Sequence, residues 1–122
     1  MHRDLHWIDG NPVPPANGRW LDVFDPATRA VASRVADGDA SDVDAAVVAA
    51  QAAFPAWSTL SNSARARWME RLADAVEARI DEFAHIEAED GGKPLALARD
   101  AEIPRAISNL RFFAHAAAQF SS

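Results

Sequence analysis

Gly91-Gly92-Lys93-Pro94 has residue types suited to phosphate chemistry, because glycine backbone N–H groups and a lysine can cradle phosphate oxygens. The spacing is wrong for it. A phosphate loop needs glycine five residues before Gly92, where Glu87 stands, and Ser or Thr after Lys93, where Pro94 stands. A helix stop is the simpler reading. Asp37-Gly38-Asp39-Ala40-Ser41-Asp42 opens like a calcium loop, but it lacks glycine at the sixth position and has Val48 at the twelfth, where a bidentate Glu belongs. It reads as a strand-to-helix turn. His85 and Glu89 are four residues apart and share a helix face, yet no second His–Glu pair completes a metal site. That face reads as solvated. His2, His6 and His115 stand alone, and no Ser–His–Asp arrangement emerges.

Arg105 and Arg111 fall on one helical stretch amid apolar residues. Either they snorkel to water, or one forks onto an anionic ligand as a guanidinium does on a carboxylate. The sequence has no cysteine, which removes disulfides, thiolate metal sites and any cysteine nucleophile from these 122 residues.

The elements that position these residues divide near residue 40. Residues 1–40 read as short strands and turns. Trp7-Ile8 meets the turn Asp9-Gly10-Asn11, and Pro14-Pro15 cannot continue a ladder. Trp20 to Phe24 and the alternating Val31, Ser33 and Val35 predict a hairpin closed by Asp25-Pro26-Ala27-Thr28. Residues 41–122 read as helices. Ser41 is the expected N-cap of the first, with Asp44 at the capping-box position. Val43, Val47, Ala50 and Phe54 share its face, and Pro55 is expected to end it. Ser61 caps the next. Trp68, Leu72, Val76, Ile80, Phe83 and Ile86 follow at helical spacing, with Asp81 able to cap a separate helix. Gly91-Gly92 stops the pattern. Pro94 opens a short helix, and a last one carries Ile103, Ile107, Leu110, Ala114 and Ala117 on one stripe, with Pro104 early enough to be tolerated.

Composition sets the outer bounds. One domain's worth of chain, 49% apolar and 25% charged, is ordinary for a globular protein. Eleven Arg and one Lys lie singly among eighteen acids for a net charge of −6, so no basic stripe invites nucleic acid. Trp7, Trp20, Trp57 and Trp68 have no interleaved basic residues and read as packing groups rather than a stacking platform. No apolar run approaches the ~20 residues of a membrane span, and the N-terminus has no apolar signal core. A cytoplasmic location, with no nucleic-acid or membrane partner, is the expectation. The run Phe112-Phe113 to Phe120-Ser121-Ser122 has no C-cap glycine, so the chain reads as cut rather than finished.

The ordered motifs carry more than any one of them. They are Ile8-Asp9-Gly10, Val23-Phe24-Asp25-Pro26-Ala27-Thr28, Asp42-Val43-Asp44-Ala45-Ala46-Val47 and Ala53-Phe54-Pro55-Ala56-Trp57. Then come Ala64-Arg65, Leu72-Ala73-Asp74, Asp81-Glu82-Phe83, Glu89-Asp90-Gly91-Gly92-Lys93-Pro94 and Leu110-Arg111-Phe112-Phe113-Ala114. From about residue 7 to residue 120 the chain resembles the opening of an aldehyde dehydrogenase. Lys93 to Arg99, Glu102-Ile103-Pro104-Arg105 and Asn109 to Ala114 are similar to the 2-aminomuconate and 2-hydroxymuconate semialdehyde dehydrogenases. Those enzymes commonly have Asp where this chain has Glu102.

The resemblance implies an α/β aldehyde dehydrogenase-like fold, of which these residues are hairpin strands followed by three or more helices. Residues 1–40 would be a β-hairpin segment and residues 41–122 an incomplete helical part of the cofactor-binding domain. It implies oxidation of an aldehyde, here a carboxylated semialdehyde, to a carboxylic acid with NAD or NADP. In that family a cysteine thiolate attacks the aldehyde, hydride passes to the nicotinamide, and a glutamate activates the water that hydrolyses the thioester. Neither the cysteine, the glycine-rich cofactor loop nor the oxyanion asparagine matches a position here, so no catalytic or cofactor-binding residue is carried over and this segment alone is expected to be inactive. Arg105 matches a helix position lining the substrate tunnel. Asp90, with backbone oxygens near Val23 and Phe24, matches a structural monovalent cation site, although many members have Thr at the Val23 position. The expected partners are a small-molecule aldehyde, the remainder of the dehydrogenase chain and further copies in a homo-oligomer. A non-catalytic assembly or binding module built on the same helices is the alternative.

Overall fold

The computed structural model describes residues 2–120. They form two compact units, one ending at Ser58 and one beginning at Thr59.

The first unit carries β1 (His2–Asp4), β2 (His6–Ile8), β3 (Asn11–Val13), β4 (Trp20–Phe24), β5 (Val31–Ala36) and α1 (Ala40–Ser58). The expected hairpin is there: β4 and β5 run antiparallel, with Trp20 opposite Ala36 and Val23 opposite Ser33. Its turn is closed locally. The Asp25 carboxylate accepts the Ala27 N–H and the Thr28 hydroxyl, each at 2.8 Å. The ladder shifts register between Val23 and Phe24, which is a bulge. β2 and β3 form a second antiparallel pair around Asp9 and Gly10, at φ 52° and 72°. Two consecutive positive φ values make the tight turn whose twist matches a hairpin, and glycine adopts one without a Cβ clash. β1 is not anticipated by any local pattern. It pairs parallel with β5, His2 opposite Ser33, and sets the sheet order β1-β5-β4.

Helix α1 begins at Ala40, and its cap is Asp39 rather than the expected Ser41. Asp39 accepts the Ser41 N–H at 2.9 Å and the Ser41 hydroxyl at 2.6 Å. Asp42 completes a capping box by accepting the Asp39 N–H at 3.0 Å. A carboxylate outcompetes a hydroxyl as acceptor, which moves the start forward. Pro55 does not end the helix; α1 continues to Ser58. Proline removes one N–H and crowds one carbonyl, and so close to the C-terminus little helix remains to be lost. Val43, Val47 and Phe54, read as one face, are exposed.

The second unit carries α2 (Asn62–Glu77), α3 (Ile80–Gly91), α4 (Leu95–Leu97), a π-helical segment (Ala98–Glu102) and α5 (Ile103–Gln119). Ser61 caps α2 as expected, accepting the Ala64 N–H at 3.2 Å. The chain breaks after Glu77 and a separate helix starts at Ile80, so Asp81 lies in the first turn, where a negative charge meets the positive end of the helix dipole. Gly92, at φ 65°, ends α3 in the left-handed conformation. α5 stops at Gln119; Ser121 and Ser122 of the expected C-terminal run lie outside the described residues.

α2 and α5 pack against each other. Ala66 and Ala73 are buried on α2, and Ile107 and Ala114 on α5. Seven-residue spacing puts each pair on one stripe. The stripe on α2 is not the one expected from apolar size: Trp68 and Leu72 are exposed, while small alanines let the two helices approach. Ile103, Leu110 and Ala117 of the expected α5 stripe are half-buried beside Ile107 and Ala114.

Candidate functional site

Two sets of charged contacts in the second unit flank the π-helical segment. Pro104 is the local cause of that segment. Its ring lacks an N–H and would crowd the carbonyl four residues back, at Asp100, in a regular α-helix. The widened turn instead lets the Ile103 N–H donate to the Ala98 carbonyl, five residues back.

Both ends of this turn are tied to α3. Arg99 Nε donates to Asp81 Oδ1 at 2.6 Å. Lys93 Nζ donates to Glu87 Oε1 at 2.6 Å and to Glu102 Oε2 at 2.9 Å. The Lys93 stem lies over Gly91, where an added Cβ would come within 2.8 Å of Lys93 Cε. Hydrogen bonds to Glu102 and then Glu87 push the Lys93 ammonium above its ordinary pKa. The hydrogen bond to Asp81 does the same for Arg99.

Further along α5, Arg111 reaches α2. Its guanidinium donates to Asp74 Oδ1 at 2.8 Å and to Glu77 Oε2 at 2.7 Å. Those bonds, to Glu77 first, raise Arg111, and Arg111 lowers Glu77. Of the two arginines weighed on this helix, Arg111 is therefore spent on helix pairing.

Arg105 stands apart. It is exposed in the first turn of α5, and its side chain makes no hydrogen bond or ion pair among the described residues. It lies two residues before buried Ile107, roughly 200° around the helix, so it faces away from α2. Asp90 is exposed near the end of α3 and likewise engages no partner among the described residues. Val23 and Phe24, in the first unit, sit at the bulge in β4. His85 is exposed, and its Nδ1 lies 2.7 Å from the Asp81 carbonyl, the geometry of a solvated helix face.

Two arrangements escaped the sequence reading. In the first unit His6 is not isolated: its Nε2 lies 3.6 Å from Asp42 Oδ2, beside an open hollow of about 240 Å³ lined by Trp7, Ile8 and Val43. Asp42 is 7% exposed, and the only hint was its place three residues after Asp39. In the second unit the Lys93 bridge had its signal in Glu102-Ile103-Pro104, an acid just before a helix-distorting proline. Among the described residues no cluster of His, Cys, Asp and Glu is built to hold a metal, and no helix is long and apolar enough to cross a membrane.

The aldehyde dehydrogenase family profile matches residues 13–122, and the chain belongs to that family. It is 41% identical over 117 residues to the 2-aminomuconic semialdehyde dehydrogenase of Homo sapiens, covering 96% of this chain and 24% of that protein. It is 43% identical over 115 residues to the 2-hydroxymuconic semialdehyde dehydrogenase of Pseudomonas sp. (strain CF600), covering 93% of this chain and 24% of that one. Among solved structures it superposes on PnpE in complex with nicotinamide adenine dinucleotide with a TM-score of 0.93 at 36% identity, over 99% of this chain and 25% of PnpE. HpcC from Thermus thermophilus gives a TM-score of 0.91 at 37% identity, over 96% of this chain and 22% of HpcC. The chain thus spans about a quarter of the length of these relatives.

Proposed function

We propose that this chain is the N-terminal part of an NAD(P)-dependent aldehyde dehydrogenase that oxidises a carboxylated semialdehyde to a carboxylic acid. The observation that carries the reading is Arg105. On α5, Arg111 is matched to acids and Arg105 is not. Arg65, Arg67 and Arg71 of α2 lack acidic partners among the described residues as well, so the choice of Arg105 rests on its helix position together with its free guanidinium. A planar fork of donors held on a helix suits a substrate carboxylate. Identities near 40% to two muconic semialdehyde dehydrogenases support the same substrate class.

The chemistry belongs to other residues. With no cysteine and no glycine-rich turn between a strand and a helix, this segment supplies neither nucleophile nor dinucleotide cradle. NAD or NADP, when bound by the rest of such an enzyme, accepts the hydride. The residues here contribute substrate orientation and a scaffold. Asp90, an exposed carboxylate without a partner among the described residues, is assigned on the same reading to a structural monovalent cation. On this reading the complete enzyme is a cytoplasmic homo-oligomer.

An assay for NADH formation tests it. The 122-residue chain alone is expected to form none with any aldehyde. The longer enzyme containing it is expected to turn over 4-oxobutanoate more efficiently than butanal. Equal efficiency for the two would overturn the carboxylated-substrate assignment, and NADH formed by the chain alone would overturn the placement of the chemistry. A second reading, a non-catalytic binding module, is favoured by the exposed apolar residues Val43, Val47, Phe54 and Trp57 of α1. It requires that no longer enzyme carry this sequence, which the intact mass in source cells decides.

A further inference from the structure

We infer that Lys93 is a positioning residue for Arg105, acting through Glu102 and the π-helical segment. The inference rests on the reading of Arg105 as the partner of a substrate carboxylate. Arg105 has no side-chain partner of its own among the described residues, so the backbone beneath it sets its direction. That backbone leaves a five-residue hydrogen bond, Ile103 to Ala98, immediately before Pro104. Proline favours the widened turn by lacking its own N–H and crowding the Asp100 carbonyl, but it does not lock it, because the Ile103 N–H could still turn to the Arg99 carbonyl of a regular helix. Charge holds the turn in register. Lys93 bridges Glu87 on α3 to Glu102 at the last residue of the segment, and Arg99 ties the opposite end to Asp81.

The geometric consequence is large for a small change. A turn that gains or loses one residue of helical phase rotates the downstream helix by about 100°. α5 is anchored on α2 by Ile107, Ala114 and Arg111, all C-terminal to Arg105. A slipped turn therefore distorts the stretch between Glu102 and Ile107, where Arg105 lies. Without the Lys93 ammonium, Glu87 and Glu102 face each other uncompensated, and that repulsion pushes the end of the turn away from α3. The bridge thus fixes the side of α5 on which the Arg105 guanidinium is offered.

The test compares variants in the dehydrogenase that contains this segment, with 4-oxobutanoate and butanal as matched anionic and neutral aldehydes. Lys93→Met and Glu102→Gln are expected to raise KM for 4-oxobutanoate by roughly threefold to tenfold, with kcat within about twofold and a much smaller rise in KM for butanal. Glu102→Asp, which keeps the charge, is expected to retain most of the selectivity. Arg105→Met is the reference and should show the same anion-selective rise. If Arg105→Met is selective while Lys93→Met and Glu102→Gln affect both aldehydes equally, the positioning inference is overturned and the reading of Arg105 survives. If Arg105→Met itself shows no selectivity, the reading of Arg105 falls, and the inference with it. Glu102→Gln nearly preserves side-chain size and carries the test where Lys93→Met fails to fold.

Discussion

The Asp42 carboxylate accepts the backbone N–H of Ala16, twenty-six residues earlier in the chain, at 3.1 and 3.3 Å to its two oxygens. The same carboxylate accepts the Asp39 N–H at 3.0 Å. One buried acid therefore joins the loop after β3 to the first turn of α1.

Removing that acid leaves two backbone donors without their partner. Asp42→Ala is expected to destabilise the first unit by about 0.5–1.5 kcal/mol, the net worth of the part-buried hydrogen bonds it removes. Asp42→Asn keeps one acceptor oxygen and should cost less. Urea denaturation measures the difference, and the Ala16 amide resonance reports whether its hydrogen bond is lost.

Acid should loosen both the Asp25 and Asp39 turns and the Glu77–Arg111 contact. Hydrogen bonds from the Thr28 hydroxyl and the Ala27 N–H hold Asp25 below its ordinary value of 3.8. The Ser41 hydroxyl and N–H do the same for Asp39, and Arg111 does so for Glu77. A folded-state pKa below the unfolded one means stabilisation that is present above the unfolded value and lost as pH falls through the folded value. Amide exchange at Ala27 and Ser41 is expected to be steady from pH 7 to about 5 and to accelerate below about 4, beyond the intrinsic trend. Exchange that follows the intrinsic trend alone would contradict these contacts. The three carboxylates are solvent-facing, so high salt should blunt the Glu77 contribution most, since it is an ion pair.

Among the described residues, Ile107 is the one large apolar side chain that falls in the buried class, at 4% exposure. Ile107→Ala is expected to cost about 2–5 kcal/mol by opening a cavity between α5 and α2. Phe112→Ala on the same helix, at 65% exposure, should stay within about 0.5 kcal/mol. Thermal melts of the two variants against the parent chain check the contrast.

The cation reading of Asp90 has its own measurement. In the complete enzyme, Asp90→Ala is expected to lower the melting temperature in potassium chloride and to abolish the difference between potassium and a bulky organic cation at equal ionic strength. A potassium effect that persists in the variant would reduce Asp90 to a helix-end acid.

The features legible in the sequence were local. Asp25-Pro26-Ala27-Thr28 closes its own hairpin through bonds within three residues, and Ser61 caps α2 through one bond three residues on. Gly92 stops α3 by its conformation. The hidden features depend on partners distant in sequence or on competition between similar groups. β1 pairs with residues about thirty positions away, and no periodicity in His2-Arg3-Asp4 reveals a strand. Asp39 displaced Ser41 as a cap because the choice lay between neighbouring acceptors. The apolar stripe on α2 was read from large residues, whereas Ala66 and Ala73 are the ones that meet α5. Arg105 and Arg111 are alike in sequence, and only tertiary placement separates them: Arg111 meets Asp74 and Glu77 of α2, and Arg105 meets no acid among the described residues.

Among the described residues the buried apolar set is Pro15, Ala36, Ala66, Ala73, Ala84, Ala98 and Ala114 with Ile107, and no large side chain is fully enclosed. An interior mostly of methyl groups hides little hydrocarbon from water. The heat capacity increment of unfolding follows the apolar area newly hydrated, so it should fall well below the roughly 12–15 cal/mol/K per residue of ordinary domains. A shallow dependence on denaturant follows from the same small area. The stability curve of this chain is consequently expected to be flat, with cooling weakening it little and heating melting it over a broad range, which a calorimetric scan measures.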